Sequence, residues 1–151
     1  MASKYVLGVT TLQMNRMHDY DGRLENQLKV LEKLGVLKDK LPKPAEELPQ
    51  LVDYRNPNDE LHLRARSYLH ANCAHCHVEA GGGNAQMQLE YSTELAKMGV
   101  IDTPPLHHKF GIENARLVAP GDPARSVLLH RISHRGEGTG QMPQLATHLV
   151  D

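Results

Sequence analysis

The pattern of hydrophobic and polar positions is clearest between residues 21 and 35. Leucines recur there at intervals of three and four, the spacing of one helix face: Leu24, Leu28, Leu31 and Leu34. Asp21 precedes them as a candidate N-cap, and Gly35 follows them where a left-handed residue often ends a helix. The pattern therefore predicts a helix over residues 22–34.

The segments on either side of this helix carry different signals. Thr10 and Gln13 have the spacing of a capping box, which predicts a short helix ending near Met17. Residues 41–49 are rich in proline, which removes backbone donors and restricts the preceding residue. An extended connector is therefore predicted over this stretch.

Two further helices are expected along the rest of the chain. One begins after residues 56–59, Asn-Pro-Asn-Asp, and runs directly into Cys73, and four of its residues are expected to be buried: Leu61, Ala65, Tyr68 and Leu69. The other begins at Asp122 and ends before Gly136. Because no segment alternates convincingly with a period of two, the fold class is predicted to be all-α.

Composition narrows the range of functions. The formal net charge is −1, without the basic excess of nucleic-acid-binding proteins, so no nucleic-acid partner is expected. No apolar run has the length of a membrane span, and no export signal opens the chain. The 151 residues include one Phe, five Tyr and no Trp, so the rings that usually fill a core of this size are scarce. Something other than aromatic side chains is therefore expected to fill that core.

Residues 73–77, Cys-Ala-His-Cys-His, carry the strongest chemical signal. Two thiols three positions apart near a helix end can both add to the vinyl groups of one porphyrin. The adjacent His77 then lies under the ring, where it can ligate iron. A C-x-x-C-H run therefore predicts the covalent attachment of one haem c through Cys73 and Cys76.

Two other chemistries use similar residues. In a dithiol oxidoreductase, His75 would stabilise the Cys73 thiolate, but such a site needs a strand before the first cysteine and a helix after the pair. A zinc site from Cys73, His75, Cys76 and His77 is less favoured, because four ligands so close in sequence cannot surround one ion without strain. Haem attachment is the preferred interpretation.

The second axial ligand of the iron is predicted to be Met142. It lies 65 residues after His77 and is flanked by Gly140 and Pro143, as expected for a loop that holds a thioether in one orientation. Four other residues are alternative ligands: Met87, Met98, His107 and His108. The choice matters because two histidine ligands would lower the reduction potential relative to His/Met ligation.

The run from Asn72 through His77 to Met142 and Pro143 resembles a class I c-type cytochrome, over about residues 57–145. Residues 119–123, Ala-Pro-Gly-Asp-Pro, are similar to the stretch before the methionine loop in many bacterial cytochrome c domains. Residues 5–37 are similar to the segment ahead of the C-terminal haem domain in large exported multidomain cytochrome proteins, some with dehydrogenase-like modules.

This resemblance implies an organisation and a cellular setting. Residues 1–55 would form a helical extension with the Pro-rich connector, and residues 56–151 would form the cytochrome c haem domain. Covalent haem attachment implies a periplasmic or otherwise exported protein, and the partner would be a redox protein or a fused dehydrogenase domain. Because no signal peptide opens the chain, residue 1 is expected to be an expression start or the cut edge of a longer precursor.

The sequence departs from the family pattern in two places. Nine residues follow Met142, too few for the usual C-terminal helix, so either the N-terminal helices replace it or the chain is a fragment. No proline lies between His77 and Pro104 to supply the carbonyl that usually accepts the proximal histidine proton. The partner of His77 Nδ1 is therefore unassigned.

Iron closed on both faces by His77 and Met142 would be inaccessible to substrate, so an electron carrier rather than an enzyme is expected. The alternative is a haem enzyme or gas sensor with an open or displaceable distal site. A set of apolar residues is expected to form the shell around the haem: Tyr68, Leu69, Leu106, Val127, Leu128 and Ile132. Three arginines are candidate donors to the haem propionates, although an arginine in such a position is more often a plain surface residue: Arg116, Arg125 and Arg131.

Overall fold

The computed structural model describes residues 10–79, 81–136, 138 and 140–144. These residues divide into two compact units, one ending at Ala71 and the other beginning at Asn72. We call them the N-terminal unit and the C-terminal unit. The division falls inside a helix, α3 (Leu61–Cys73), whose last two residues belong to the C-terminal unit.

The N-terminal unit opens with the predicted capping box. Helix α1 (Thr11–Met14) is preceded by Thr10, whose hydroxyl accepts a hydrogen bond from the Gln13 backbone N–H. The Gln13 side chain accepts one from the Thr10 backbone N–H in return, at 2.9 Å. Two orphan donors at the start of the helix are thereby satisfied. The helix ends earlier than predicted, and Met17 begins a strand.

A β-hairpin replaces the first turn of the helix predicted over residues 22–34. Strand β1 (Met17–Tyr20) pairs antiparallel with β2 (Arg23–Asn26). Asp21 and Gly22 join the strands with φ of 55° and 89°, the left-handed conformation that a tight hairpin turn requires. Asp21 is therefore a turn residue and not an N-cap, and the predicted helix start is wrong.

The remainder of the leucine pattern forms helix α2 (Gln27–Lys33). Asn26 caps it by accepting hydrogen bonds from the backbone N–H groups of Leu28 and Lys29. Leu28 is buried, and Gly35 follows the helix with φ of 67°, as predicted. Only part of the leucine face is covered, because the exposed fraction of Leu34 is 69%.

The hairpin also overturns the prediction of an all-α fold. The described residues hold four α-helices, three short 3₁₀ helices and a two-stranded antiparallel sheet, which makes the fold mixed. The cause is local, because an Asp-Gly pair is among the strongest short hairpin signals and it outweighs the leucine spacing around it. Residues 21–26 cannot form both a hairpin turn with its second strand and the first turn of a helix.

Asn15 attaches the proline-rich connector to the rest of the N-terminal unit. Its side chain is buried, and Nδ2 donates to the backbone carbonyls of Ala45 and Leu48 at 2.8 and 2.9 Å. Its Oδ1 accepts from Asn26 at 2.8 Å. The connector itself contains a 3₁₀ helix (Ala45–Glu47), so it is not extended throughout.

Helix α3 is present as predicted, but its buried side chains are different. Leu61 is 75% exposed and Ala65 is also exposed, so the prediction that they are buried is wrong. Ser67 is buried instead, and its hydroxyl accepts a hydrogen bond from the Val52 backbone N–H at 3.1 Å. A polar residue thus anchors the helix within its unit.

The C-terminal unit consists mainly of irregular chain. A 3₁₀ helix (Leu95–Lys97) precedes Gly99, and two isolated bridges pair residue 101 with 118 and residue 116 with 126. The helix predicted from Asp122 is present in two parts, a 3₁₀ helix (Pro123–Arg125) and helix α4 (Val127–Ser133). The last residues of the predicted haem domain, 145–151, lie outside the described residues.

Aliphatic, alanine and methionine side chains make up the buried hydrophobic positions. None of the Phe or Tyr rings in the described part of the chain is buried, which matches the scarcity of aromatic residues in the sequence. The buried hydrophobic residues include Leu28, Met87, Leu89, Met98, Val100 and Val127. Among the helices of the described ranges, none has the length and apolar character needed to cross a bilayer.

Candidate functional site

The C-x-x-C-H run lies at the C-terminal end of helix α3. Cys73 is the last helical residue, and its carbonyl accepts hydrogen bonds from the N–H groups of Cys76 and His77 at 3.1 and 2.9 Å. The chain therefore turns tightly and brings both thiols and the imidazole into one short segment. Neither cysteine forms a disulfide, and Cys73 is half-buried while Cys76 is exposed.

The His77 imidazole is buried in the C-terminal unit, with 8% of the residue exposed. Burial lowers the pKa of His77, the Ala85 backbone raises it by hydrogen bonding, and the charges of Arg131 and His75 lower it further. The net shift is downward and favours the neutral ring, the form that binds metals. Nδ1 is enclosed and has no hydrogen-bond partner among the residues that the structure describes.

Gly83 brings the backbone against this imidazole. A Cβ atom at Gly83 would lie 2.7 Å from His77 Nδ1 and 2.8 Å from Cε1, closer than real Cβ contacts allow. The Gly83 N–H also donates to the Cys76 carbonyl at 3.0 Å. On the other side of the motif, the His77 carbonyl accepts from the Leu89 N–H at 2.8 Å. Gly83 therefore packs directly against the ring, with no space for a side chain between them.

The segment carrying Met142 is attached to helix α4 by Arg131. Arg131 Nε donates to the Gly140 carbonyl at 2.7 Å, and the Arg131 carbonyl accepts from the Met142 N–H at 3.0 Å. Met142 itself is half-buried. The Arg131 charge also lowers the pKa of His77. Arg131 therefore holds the segment of the predicted methionine ligand and interacts electrostatically with the predicted histidine ligand.

Phe110, the one phenylalanine of the chain, supports the same segment. A Cβ atom at Gly140 would lie 2.6 Å from its ring, and the Arg131 guanidinium carbon lies 5.5 Å from the ring centroid. His130 stacks on Phe110 with ring centroids 4.6 Å apart, and His134 stacks on His130 at 4.1 Å. Sequence reasoning missed Phe110. The sequence did offer one signal, because Phe110 is the only phenylalanine in a chain without tryptophan.

Arg116 and Arg125, the predicted propionate donors, are both engaged in ion pairs. Arg116 Nε contacts Asp102 at 2.9 Å, and Arg125 Nε contacts Asp122 at 2.8 Å. The Arg125 side-chain contact is the main reason that the pKa of Asp122 lies below its usual value. Each guanidinium retains N–H groups beyond its carboxylate contact, because arginine has five donors.

The other predicted ligands and shell residues are spread through the chain. Tyr68 belongs to the N-terminal unit, where its ring packs edge-on against Tyr54 with centroids 5.5 Å apart. Val127 is buried, whereas Leu106 is 67% exposed. The remaining predicted shell residues are half-buried: Leu69, Leu128 and Ile132.

The alternative axial ligands have other environments. Met87 and Met98 are buried hydrophobic residues of the C-terminal unit, the common role of methionine in a core. His107 and His108 are exposed, and the His108 ring lies 5.9 Å from that of Phe110. Met142 differs from both methionines because its backbone is fixed by Arg131 and its side chain is only partly covered.

The structure also bears on the two other chemistries considered for the cysteine motif, a dithiol oxidoreductase and a zinc site. A reactive dithiol is usually activated at a helix N-terminus, whereas Cys73 ends its helix, where the dipole disfavours a thiolate. Among the described residues, which include all four proposed zinc ligands, no three His, Cys, Asp or Glu side chains are grouped to hold a metal ion.

Comparison of the chain with protein-family models, with curated proteins and with solved structures found no match.

Proposed function

We propose that this protein carries one covalently attached haem c and transfers electrons with a redox partner protein or a fused dehydrogenase domain. The observation that carries the proposal is the arrangement at the end of α3. One tight turn brings together the thiols of Cys73 and Cys76, neither in a disulfide, and a buried imidazole whose neutral form is favoured, with Gly83 packed against the ring. Thiols and imidazole are the donor set that attaches and ligates a c-type haem.

The residues fit this group in three respects. Cys73 and Cys76 form no disulfide and supply the two sulfur atoms that thioether links require. The Nδ1 edge of His77 faces the Gly83 backbone, so Nε2 is the nitrogen assigned to the iron in this proposal. The absence of buried Phe or Tyr rings from the described residues leaves a requirement for apolar surface that a porphyrin would meet.

Each residue has a distinct role in this proposal. A bound haem c supplies one-electron chemistry between two oxidation states of its iron. Cys73 and Cys76 would hold the group through thioether links, and the His77 imidazole and the Met142 thioether would bind its iron. With both side chains bound there, water and substrates would be kept from the iron, which favours electron transfer over catalysis. Maturation of such a protein takes place in the periplasm or another exported compartment.

Optical spectra of the purified haem protein test this assignment. The oxidised wild-type protein should show the near-infrared methionine-to-iron charge-transfer band, and the reduced protein should form no carbon monoxide adduct. Met142→Ala should abolish the band and lower the reduction potential. Met87→Leu is a matched control, because it replaces a buried methionine by a side chain of similar volume and should keep the band.

Two results would contradict the assignment. Rapid formation of a carbon monoxide adduct by the wild-type protein would favour the haem enzyme or sensor, in which the distal position is open. An unchanged spectrum in Met142→Ala would move the distal ligand to another residue, with His107 and His108 as the next to be substituted.

A further inference from the structure

Arg131 contacts the Met142 segment with both its side chain and its backbone. Its Nε–H donates to the Gly140 carbonyl at 2.7 Å, and its own carbonyl accepts from the Met142 N–H at 3.0 Å. These two hydrogen bonds fix the chain on either side of Gln141. A single helical residue therefore sets the path of the backbone that carries the predicted ligand.

The Arg131 side chain is itself held in place by Phe110. The guanidinium lies over the ring, 5.5 Å from its centroid, where a cation is attracted to the aromatic face. Partial burial lowers the pKa of Arg131 from its usual high value, but arginine stays charged in proteins. The charged and partly desolvated group therefore makes a stronger hydrogen bond to Gly140 than an exposed one would.

Gly140 is needed for this arrangement. Its φ of 66° is left-handed, and an added Cβ would collide with Phe110. The loop backbone, the aromatic ring and the guanidinium are thus in mutual contact, with no space for another side chain. Gln141 adds a further contact, since its Oε1 accepts from the Gly136 N–H at 2.9 Å.

We propose that Arg131 is a positioning residue that keeps the Met142 thioether on the haem iron. This inference rests on the proposed function. A neutral thioether is a weak ligand for iron. Whether Met142 stays bound therefore depends on how firmly the chain fixes the position of its side chain. Arg131 fits this task better than lysine would, because a planar guanidinium can stack on Phe110 and donate to Gly140 at the same time.

Competition with exogenous imidazole measures this hold on Met142. Imidazole binds oxidised iron only when the thioether leaves, so its apparent affinity reports how easily Met142 dissociates. In the full-length haem protein, Arg131→Gln should raise imidazole affinity roughly tenfold, the effect of losing one charge-assisted hydrogen bond, and weaken the charge-transfer band. Arg131→Lys and Phe110→Leu should give smaller increases, because each keeps part of the arrangement.

Arg64→Gln is the matched control. Arg64 Nε also donates to a backbone carbonyl, that of Tyr54, at 2.8 Å, but it lies in the N-terminal unit. Its loss should leave imidazole affinity and the charge-transfer band unchanged. Because a purely structural role would lower the thermal midpoint without favouring imidazole, both quantities are measured for every variant.

The outcomes separate this inference from the proposed function. If the wild-type protein binds no haem or lacks the charge-transfer band, both proposals fail. If the wild-type protein shows the band and Arg131→Gln binds imidazole with wild-type affinity, the positioning role alone fails. Should Arg131→Gln not accumulate, wild-type imidazole affinity in both Arg131→Lys and Phe110→Leu would equally overturn it.

Discussion

The backbone of Gly83 lies against the imidazole of His77 so closely that a methyl group there would sit 2.7 Å from Nδ1. Gly83 has no left-handed φ, so the restriction is one of space and not of backbone conformation. His77 directly follows Cys76 in the chain. A shift of the ring would therefore disturb the position of the cysteine motif as well.

Gly83→Ala is expected to displace His77 and destabilise the haem protein. Overpacking of this kind costs about 1–3 kcal/mol, visible as a lower thermal midpoint and a smaller fraction of chains carrying haem. Gly82→Ala is the control within the same glycine run, because a Cβ at Gly82 meets nothing within 4 Å. Equal behaviour of the two variants would show that Gly83 does not support the ring.

Gly140→Ala is expected to weaken the methionine-to-iron charge-transfer band. Its Cβ would lie 2.6 Å from the Phe110 ring, so either the ring or the loop must move. Gly138→Ala is the control, because Gly138 also has a left-handed φ, 78° against 66°, but a Cβ there meets nothing within 4 Å. Both variants carry the backbone strain of about 1–2 kcal/mol, so only the difference between them measures the contact with Phe110.

His130 should make the protein less stable as the pH falls below neutrality. Burial lowers the pKa of His130, and the nearby charges of His134 and Arg131 lower it further. The unfolded chain therefore binds a proton near the usual pKa of about 6.5 while the folded chain does not. The free energy of unfolding decreases as the pH falls through that value, and the loss stops below the folded pKa.

His130→Gln should reduce this slope without abolishing it, because burial also lowers the pKa of His77, which contributes in the same direction. The free energy of unfolding would be measured by denaturant titration between pH 7.5 and 5 for the wild-type protein, His130→Gln and His134→Gln. His134→Gln should keep part of the slope, because it removes one of the two charges and leaves the burial of His130. A wild-type slope in His130→Gln would show that another group causes the pH dependence.

Removal of the haem is expected to weaken the fold. No Phe or Tyr ring of the described residues is buried, so the C-terminal unit lacks the apolar area that such rings contribute. The double variant Cys73→Ala/Cys76→Ala should unfold at a lower temperature than the haem protein and with less cooperativity. A cooperative, fully structured variant with the thermal midpoint of the haem protein would contradict a core that depends on the cofactor.

The sequence was informative where a local rule applied without competition. The Thr10–Gln13 capping box and the left-handed Gly35 are present as predicted, because each depends on a few neighbouring residues. The helix ending at Cys73 was predicted for the same reason. The helix prediction was wrong at residues 21–26, because two local rules competed there and the Asp-Gly turn prevailed over the leucine spacing.

The geometry of the candidate site could be predicted only in part. Spacing alone singled out Cys73, Cys76 and His77 as candidate site residues, because they lie within five consecutive positions of the chain. The Phe110–Arg131–Gly140 arrangement joins residues separated by up to 30 positions, and no periodicity reports such contacts. The packing of Gly83 against His77 could not be predicted for another reason. A glycine run indicates a loop whether or not a ring packs against it.

Mass spectrometry of the intact chain tests the central claim most directly. The protein would be produced in the periplasm together with a c-type haem maturation system, beside a known cytochrome as a positive control. The proposal predicts that the chain gains the mass of one haem, that denaturation does not release it, and that Cys73→Ala/Cys76→Ala does not gain it. An unmodified wild-type chain, in cells that mature the control cytochrome, would contradict the proposal.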